Sequence, residues 1–526
     1  MIEIFCLGSR LQAASIVDAA LKRSCSTQLV VMASISRLQV AIEKSGVSCC
    51  VIIDPPESWC HLIIQTARSR TCKILLLGAI PPSLADYLQI QSVALDQDLV
   101  EAGMCEQAMP NHFTESAARV CYEKMLGSVE SPLQSRPLLR YDFASEWNNL
   151  GYGAIRVDGS IWSLAQQVRV PPEVRLAHVS TGSTSHSAYC AIWDTPLCSV
   201  LWFNRSVGPV DSQEWRLVEY FLSSYRPSEL PCWPVLREIP HGYQSAATMR
   251  LDCDEDVESA RSLWELYRDT GTPFSLALHS SVLKYEQHHA LPKELLKNNG
   301  ALLSHTATHA PDWGGSYEAA YREACVSAHE IRLATGYSVQ YAVSPFHQTP
   351  SYARAALADA GYLGCIGGII RNDPDFLMAR AGVPPGSPQG FIGHTQQCMF
   401  HGDCIGSATD PLAVFKRAFE VSKAGGAFFG YLDHPFSPRY QYGWEDELQR
   451  VSLHREFIAY LRRSEKTLMC NEADAMHFLN DKAAVQIHQR VNCFYVAPVS
   501  ARLSPFDVSV EYKSSLTRLP AAGLHL

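Results

Sequence analysis

The chain has 526 residues, of which 47% are hydrophobic and 18% charged, a balance that excludes a disordered or membrane-embedded class; at about 150 residues per domain it is also too long for one ordinary domain. Its 53 acidic and 44 basic residues give a formal charge of −9 without blocks of either sign, so it carries no electrostatic footprint for nucleic acid or anionic lipid. No apolar run reaches the roughly 18 residues that span a bilayer.

The first segment, Met1-Ile2-Glu3-Ile4-Phe5-Cys6, enters a strand-like run directly, with an acid where a secretory signal wants positive charge. From there the chain alternates short Val/Ile/Leu-rich runs with amphipathic ones: Ile2 to Leu7, Leu11 to Lys22, Leu29 to Met32, Ile35 to Ser45, Cys49 to Ile53, Trp59 to Ala67 and Lys73 to Leu77. That rhythm predicts a flavodoxin-like or Rossmann-like parallel sheet over residues 1–127. Gly8-Ser9-Arg10 follows the first strand without G-x-G-x-x-G or G-x-x-x-x-G-K, so nothing there supports nucleotide binding.

Residues 128–238 shift toward Trp, Tyr, Ser and Pro and predict a middle α/β domain. Its strands are Ala188 to Trp193 and Ser199 to Asn204, and its helix, Ser212 to Tyr225, is N-capped by Asp211. Arg226 to Pro234 holds three prolines and reads as a linker. A second β/α rhythm fills 239–480, with polar residues at strand ends, as in (β/α) barrels. Its clearest element is the helix Ser316 to Thr335, whose predicted apolar stripe is Tyr317, Ala320, Tyr321, Ala324, Ala328 and Ile331, closed by Gly336. Residues 481–526 predict a small β tail. The 18 cysteines, among them Cys6, Cys49, Cys50, Cys190 and Cys365, lie in apolar segments with no C-x-x-C spacing. They read as buried reduced thiols and, with the missing signal, predict a cytoplasmic protein.

Chemistry concentrates at three strand ends of the third region. Asp252 and Asp254 close the apolar run Ala246 to Leu251, and residues i and i+2 of a strand share a face. Two carboxylates so close fit a metal ligand beside a general base, or a solvated acidic turn, since Glu255 and Asp256 follow. His305-Thr306-Ala307-Thr308-His309 ends the run Ala301 to Ser304, with Pro311 beyond; the pair would bind from a strand-end loop, unlike the helical H-E-x-x-H. Two imidazoles and a carboxylate form a metal site that polarises a carbonyl and activates water. The third strand end, Leu432-Asp433-His434, offers an imidazole to protonate a leaving amine.

In this order the pieces resemble the polysaccharide deacetylase family, carbohydrate esterase family four, over roughly Ala246 to Leu479. Arg250-Leu251-Asp252-Cys253-Asp254 stands where the family has T-F-D-D, and His305 to His309 where it has H-[ST]-x-x-H. Thr335-Gly336, Ser344-Pro345-Phe346-His347 and Leu432-Asp433-His434 stand for its T-G, R-P-P-[YF]-G and L-x-H. The resemblance implies a deformed (β/α)7-type barrel with Asp254, His305 and His309 as metal ligands, Asp252 as base and His434 as acid. The family's Arg is missing from the third motif, leaving Arg250 or Arg439 to replace it, and the D-x-D spacing leaves the roles of Asp252 and Asp254 interchangeable. The fourth motif is unrecognisable; in its place runs His394 to Cys404, of which His401 and Asp403 are expected at the pocket with Arg250, Pro345, Phe346 and His347. Phe436, Tyr440, Tyr442 and Trp444 are candidates to stack on sugar rings.

The resemblance implies removal of an N-acetyl group from an amino sugar or polysaccharide precursor during O-antigen or capsule assembly. Zinc is the expected cation, although such ligands also take cobalt, nickel, iron or manganese. A sugar deformylase is the alternative enzyme, and a non-catalytic glycan-binding scaffold the alternative of another class.

Overall fold

The computed structural model describes residues 1–44, 48–105, 117–124, 126, 135–139, 155–210, 212–368, 380–388, 390–396, 398–405, 409–491 and 493–526. The expected cap at Asp211 lies outside them. The protein is mixed α/β, built on two nine-stranded sheets.

In the first sheet Val30–Met32, Ile2–Cys6, Cys49–Ile53, Cys72–Leu77 and Cys198–Phe203 run parallel, in that spatial order. Thr184–Asp194, Arg175–Thr181, Arg119–Tyr122 and Ser135–Pro137 continue it antiparallel. Strand periodicity explains why both faces are covered: Ile4, Val51, Ile53 and Leu75 enter one core, while Phe5, Cys50, Ile52 and Leu76 enter the other. The strands expected in a separate middle domain therefore extend the sheet of residues 1–127. Nor is the proline-rich stretch a solvated tether, because Leu230, Cys232 and Trp233 are buried. It leads into Val235–Leu236, which pairs with Ser509–Tyr512 of the tail.

The second sheet is parallel, ordered Ile392–Thr395, Gly364–Gly367, Tyr341–Val343, Ala301–Ser304, Ser275–Leu278, Ser245–Cys253, Phe429–Asp433, Cys398–Met399, with Thr467–Met469 also on Ser245–Cys253. Its first and last members are separated by only residues 396 and 397 of the chain. Two residues reach less than about 11 Å, so the sheet curls until its edges approach. Parallel strands place every carboxyl end on one rim, and the residues after those ends meet there.

Helices cover the outside. Tyr317–Thr335 is capped by Ser316, whose hydroxyl accepts from Ala319 N, and ends on Gly336 at φ 78°. The buried stripe is Ala320, Ala324, Ser327, Ile331 and Ala334, whereas Tyr321 faces solvent at 39% exposure. The expected stripe holds at Ala320, Ala324 and Ile331, with Tyr317 and Ala328 partly buried against the same core; the face also takes in Ser327, whose hydroxyl is satisfied by Ser304 at 2.8 Å. The 18 cysteines stand outside disulfides, and no helix among the described residues is long and apolar enough to cross a membrane.

Candidate active site

His305 follows the strand Ala301–Ser304, its backbone N–H still donating to Leu278 O at 2.8 Å. The chain then leaves the sheet as a loop, not a helix. Glu323, from the helix Tyr317–Thr335, clamps that loop, its carboxylate accepting from Ala307 N at 2.9 Å, Thr308 N at 2.8 Å and Thr308 Oγ1 at 2.7 Å. Thr306 and His309 are held in the left-handed region at φ 65° and 54°, a conformation non-glycine residues adopt only when the surroundings impose it.

The clamp turns His309 back onto His305. The two Nε2 atoms are 3.1 Å apart, and Asp254 Oδ1 lies 3.3 Å from His305 Nε2 and 3.5 Å from His309 Nε2. Ligands about 2.0–2.2 Å from a tetrahedral ion stand about 3.3–3.6 Å from one another, so the spacing of this set fits a divalent cation. Two further observations agree. Asp254 Oδ1 is buried without a well-aligned hydrogen bond, and His305 Nδ1 donates to Val343 O at 3.2 Å, which leaves Nε2 as the lone-pair nitrogen.

The electrostatics favour the same ion. Burial works against charge on Asp254, but His305, His434 and His309 hold its carboxyl below the usual range. Burial and the adjacent His305 push His309 down to about 4, so it is neutral at pH 7. Burial would lower His305 too, yet the carboxylates of Asp252 and Asp254 outweigh it and raise it.

Asp252 sits differently. It ends the buried strand Ser245–Cys253, and Arg250, two residues back on the same face, donates Nε to Oδ1 at 2.6 Å and Nη2 to Oδ2 at 2.9 Å. Arg250 is 0% exposed and also donates to Gly367 O at 3.4 Å. Burial opposes the charge on Asp252, but Arg250 and His305 hold its carboxyl far below the ordinary range. The guanidinium beside Asp252 thus comes from its own strand. Arg439 does not supply it, being 72% exposed and paired with Glu255 at 2.8 Å.

His434 follows the strand Phe429–Asp433, and its N–H donates to Asp433 Oδ1 at 2.8 Å. Asp433 is fully buried and is a hub: Arg450 Nε donates at 2.7 Å and His454 Nε2 at 3.0 Å to its Oδ2, while Arg450 Nη2 donates to His434 O at 2.8 Å. Burial again opposes the charge, and Arg450, His454 and His401 outweigh it. His434 Nδ1 is 2.8 Å from His401 Nε2, and its ring stacks on Tyr442 at 4.5 Å.

Arg450 and His454 escaped the sequence reading. Their signal is an i, i+4 polar pair on the helix Glu447–Arg463, on the face otherwise buried through Leu453, Phe457 and Leu461.

The third-motif turn Pro345–His347 forms part of the wall. Phe346 and His347 are both left-handed, at φ 51° and 58°. Phe346 is 48% exposed with its ring 4.7 Å from that of His309. His347 is buried, its Nδ1 without a partner, and is pushed down to about 3 chiefly by burial. Of the expected aromatics, Tyr440 stacks on Tyr442 at 5.8 Å. Trp444 is instead core, 2% exposed against Phe400. Asp403 is exposed and meets the backbone of Gly443 and the thiol of Cys404, so the structure does not bring it to the donors.

No family model and no curated protein matches the sequence. Among solved structures, the Xyl-CE4 domain of a multidomain xylanase from the hindgut metagenome of Trinervitermes trinervoides is 13% identical over 44% of this chain and 89% of its own, at a TM-score of 0.29. The PuuE allantoinase is 14% identical over 46% of this chain and 92% of its own, at 0.35. A pseudoenzyme of carbohydrate esterase family four from Bacillus anthracis is 11% identical over 46% and 68%, at 0.32. Each of these matches covers less than half of this chain.

Proposed function

We propose that this protein is a metal-dependent hydrolase that removes an N-acetyl group from an amino sugar, at the rim where Asp254, His305 and His309 converge. The carrying observation is the triangle of donors 3.1, 3.3 and 3.5 Å apart, one carboxylate and two imidazoles facing one point. Asp254, His305 and His309 would hold a divalent cation, zinc first for this donor set, which when bound would supply Lewis-acid polarisation of a carbonyl and a lowered pKa of water.

The other residues divide the proton work. Asp252 stays ionised and, with both oxygens oriented by Arg250, is placed to take the proton of the attacking water. The same pairing weakens it as a base, exchanging basicity for orientation. His434 gives a proton to the departing amine from its Nε2, the nitrogen opposite the one that meets His401. Phe346, 48% exposed beside His309, offers a flat apolar face suited to a sugar ring, and Tyr440 and Tyr442 pack beside His434. An amino-sugar precursor of a surface polysaccharide, met in the cytoplasm, fits such a face and the absence of charged blocks.

Elemental analysis of the purified protein, followed by acetate release from acetamido sugars, tests the reading. One equivalent of a divalent metal and acetate release are expected; formate release from formamido analogues alone would move the activity to a deformylase. A protein with no bound metal and no acyl release would overturn it.

A further inference from the structure

His401 lies outside every motif aligned above, yet it meets a ring nitrogen of the acid within hydrogen-bond distance. Its Nε2 is 2.8 Å from His434 Nδ1 and 3.7 Å from Asp433 Oδ1. It is 5% exposed, with its ring 4.7 Å from Tyr442. Two facing ring nitrogens this close cannot both carry a hydrogen, so the contact holds one proton between one donor and one acceptor.

The surroundings decide which ring holds the charge. The groups facing the pair are Asp433 at the strand end, Arg450 and His454 from the helix Glu447–Arg463, His347 from the turn Pro345–His347, and Tyr442 from the following loop. Asp252 and Asp254 are near enough to His434 to feel its charge. Burial first, then His434, hold His401 down to about 3 in spite of Asp433. His401 therefore remains neutral when His434 is charged, because a second positive charge 2.8 Å away, in a buried site already containing Arg450, is disfavoured.

We infer that His401 is the positioning residue of the acid: a neutral imidazole, protonated on Nδ1, whose Nε2 accepts the Nδ1–H of protonated His434 and so turns the His434 Nε2–H toward the reacting centre. When that Nε2–H bond breaks, the proton passes to the leaving nitrogen and the electron pair stays on His434 Nε2. The Nδ1–H remains in place, and His434 is left neutral. Asp433 acts one step further out, fixing the His434 backbone through its N–H and, with Arg450, through its carbonyl. In its catalytic sense this inference rests on the function proposed above.

Imidazole ¹⁵N NMR titrations of the full-length protein, unmodified and as His401→Gln and His401→Leu, test it together with pH profiles of kcat on an acetamido sugar. A glutamine oxygen can stand near the place of Nε2 and accept the same hydrogen bond; leucine cannot. In the unmodified protein and in His401→Gln, His434 should titrate about one pH unit higher than in His401→Leu, the size expected for loss of a hydrogen bond to the charged form. The alkaline limb of kcat should move with it, with KM unchanged, and His401 should stay neutral above about pH 5. If His401→Leu does not fold, His401→Asn, too short to reach Nδ1, makes the same comparison. Equal His434 midpoints in all variants, or a His401 that titrates near 6.5 on its own, would overturn the inference. A midpoint difference in a protein that releases no acyl group would sink the hydrolase and leave the pair standing; turnover without the difference would do the reverse.

Discussion

The mixed sheet and the parallel sheet end in similar chemistry, but only one end leaves polar atoms without well-aligned hydrogen bonds. At the carboxyl rim of the first sheet Asp54 accepts from Ala79 N at 2.8 Å and Ser206 Oγ at 2.7 Å and pairs with Arg10 at 2.8 Å, so both oxygens are used. At the rim of the curled sheet Asp254 Oδ1 is buried with only the two imidazoles of His305 and His309 beside it and no well-aligned hydrogen bond, His347 Nδ1 is buried without one, and Thr306, His309, Phe346 and His347 hold left-handed backbones. Buried polar groups are normally paired, and strain persists only where the surroundings impose it. Left-handed backbone occurs at both rims, since Asp54 itself has φ 43°; what separates them is that the carboxylate of the first is fully hydrogen-bonded, whereas the second leaves buried polar atoms without well-aligned hydrogen bonds.

The largest way to break this comparison is His305→Ala. Metal content and acetate release should both fall to background, whereas a variant that kept its metal would show that the second rim does not bind it. Next comes Asp252→Asn. The metal should stay while kcat drops by about 10²-fold or more, read by elemental analysis beside the rate; loss of metal would exchange the roles of Asp252 and Asp254.

A third test asks whether buried and exposed ion pairs differ as the two rims do. Arg450→Leu would take the guanidinium from the fully buried Asp433 carboxylate and leave it only His454 and the His434 N–H, costing about 3–5 kcal/mol of stability in denaturant titration. Arg10 is 40% exposed beside Asp54, and Arg10→Met should cost at most about 1 kcal/mol. Equal losses would erase the distinction.

Acid response sharpens the comparison further. His347, His394 and His401 are each pushed down to about 3, chiefly by burial, and all three belong to the barrel region. Unfolded, they would bind protons near pH 6.5, so the stability they lend is complete above that pH and is lost as pH falls toward 3. Each should contribute a slope of about 1.4 kcal/mol per pH unit in that window. His394→Gln should remove one such slope from stability measured between pH 6 and 4; an unchanged slope would mean His394 is charged in the folded state.

Covalent spacing and periodicity alone determined the β/α rhythm, the strand that ends at Ser304, the histidine pair on a loop and the free cysteines, because these depend on residues near in sequence. Where strand partners and counter-charges come from distant segments, sequence is silent. It could not join Cys198–Phe203 to Cys72–Leu77 across more than a hundred residues, and it could not tell Asp252 from Asp254, two carboxylates of one local pattern. Tertiary structure separated them by placing Arg250 against the first and two imidazoles against the second. It likewise set Asp403 beside Cys404, His401 against His434, and Arg450 and His454 against Asp433, since the partners around a side chain exist only after the sheet has curled.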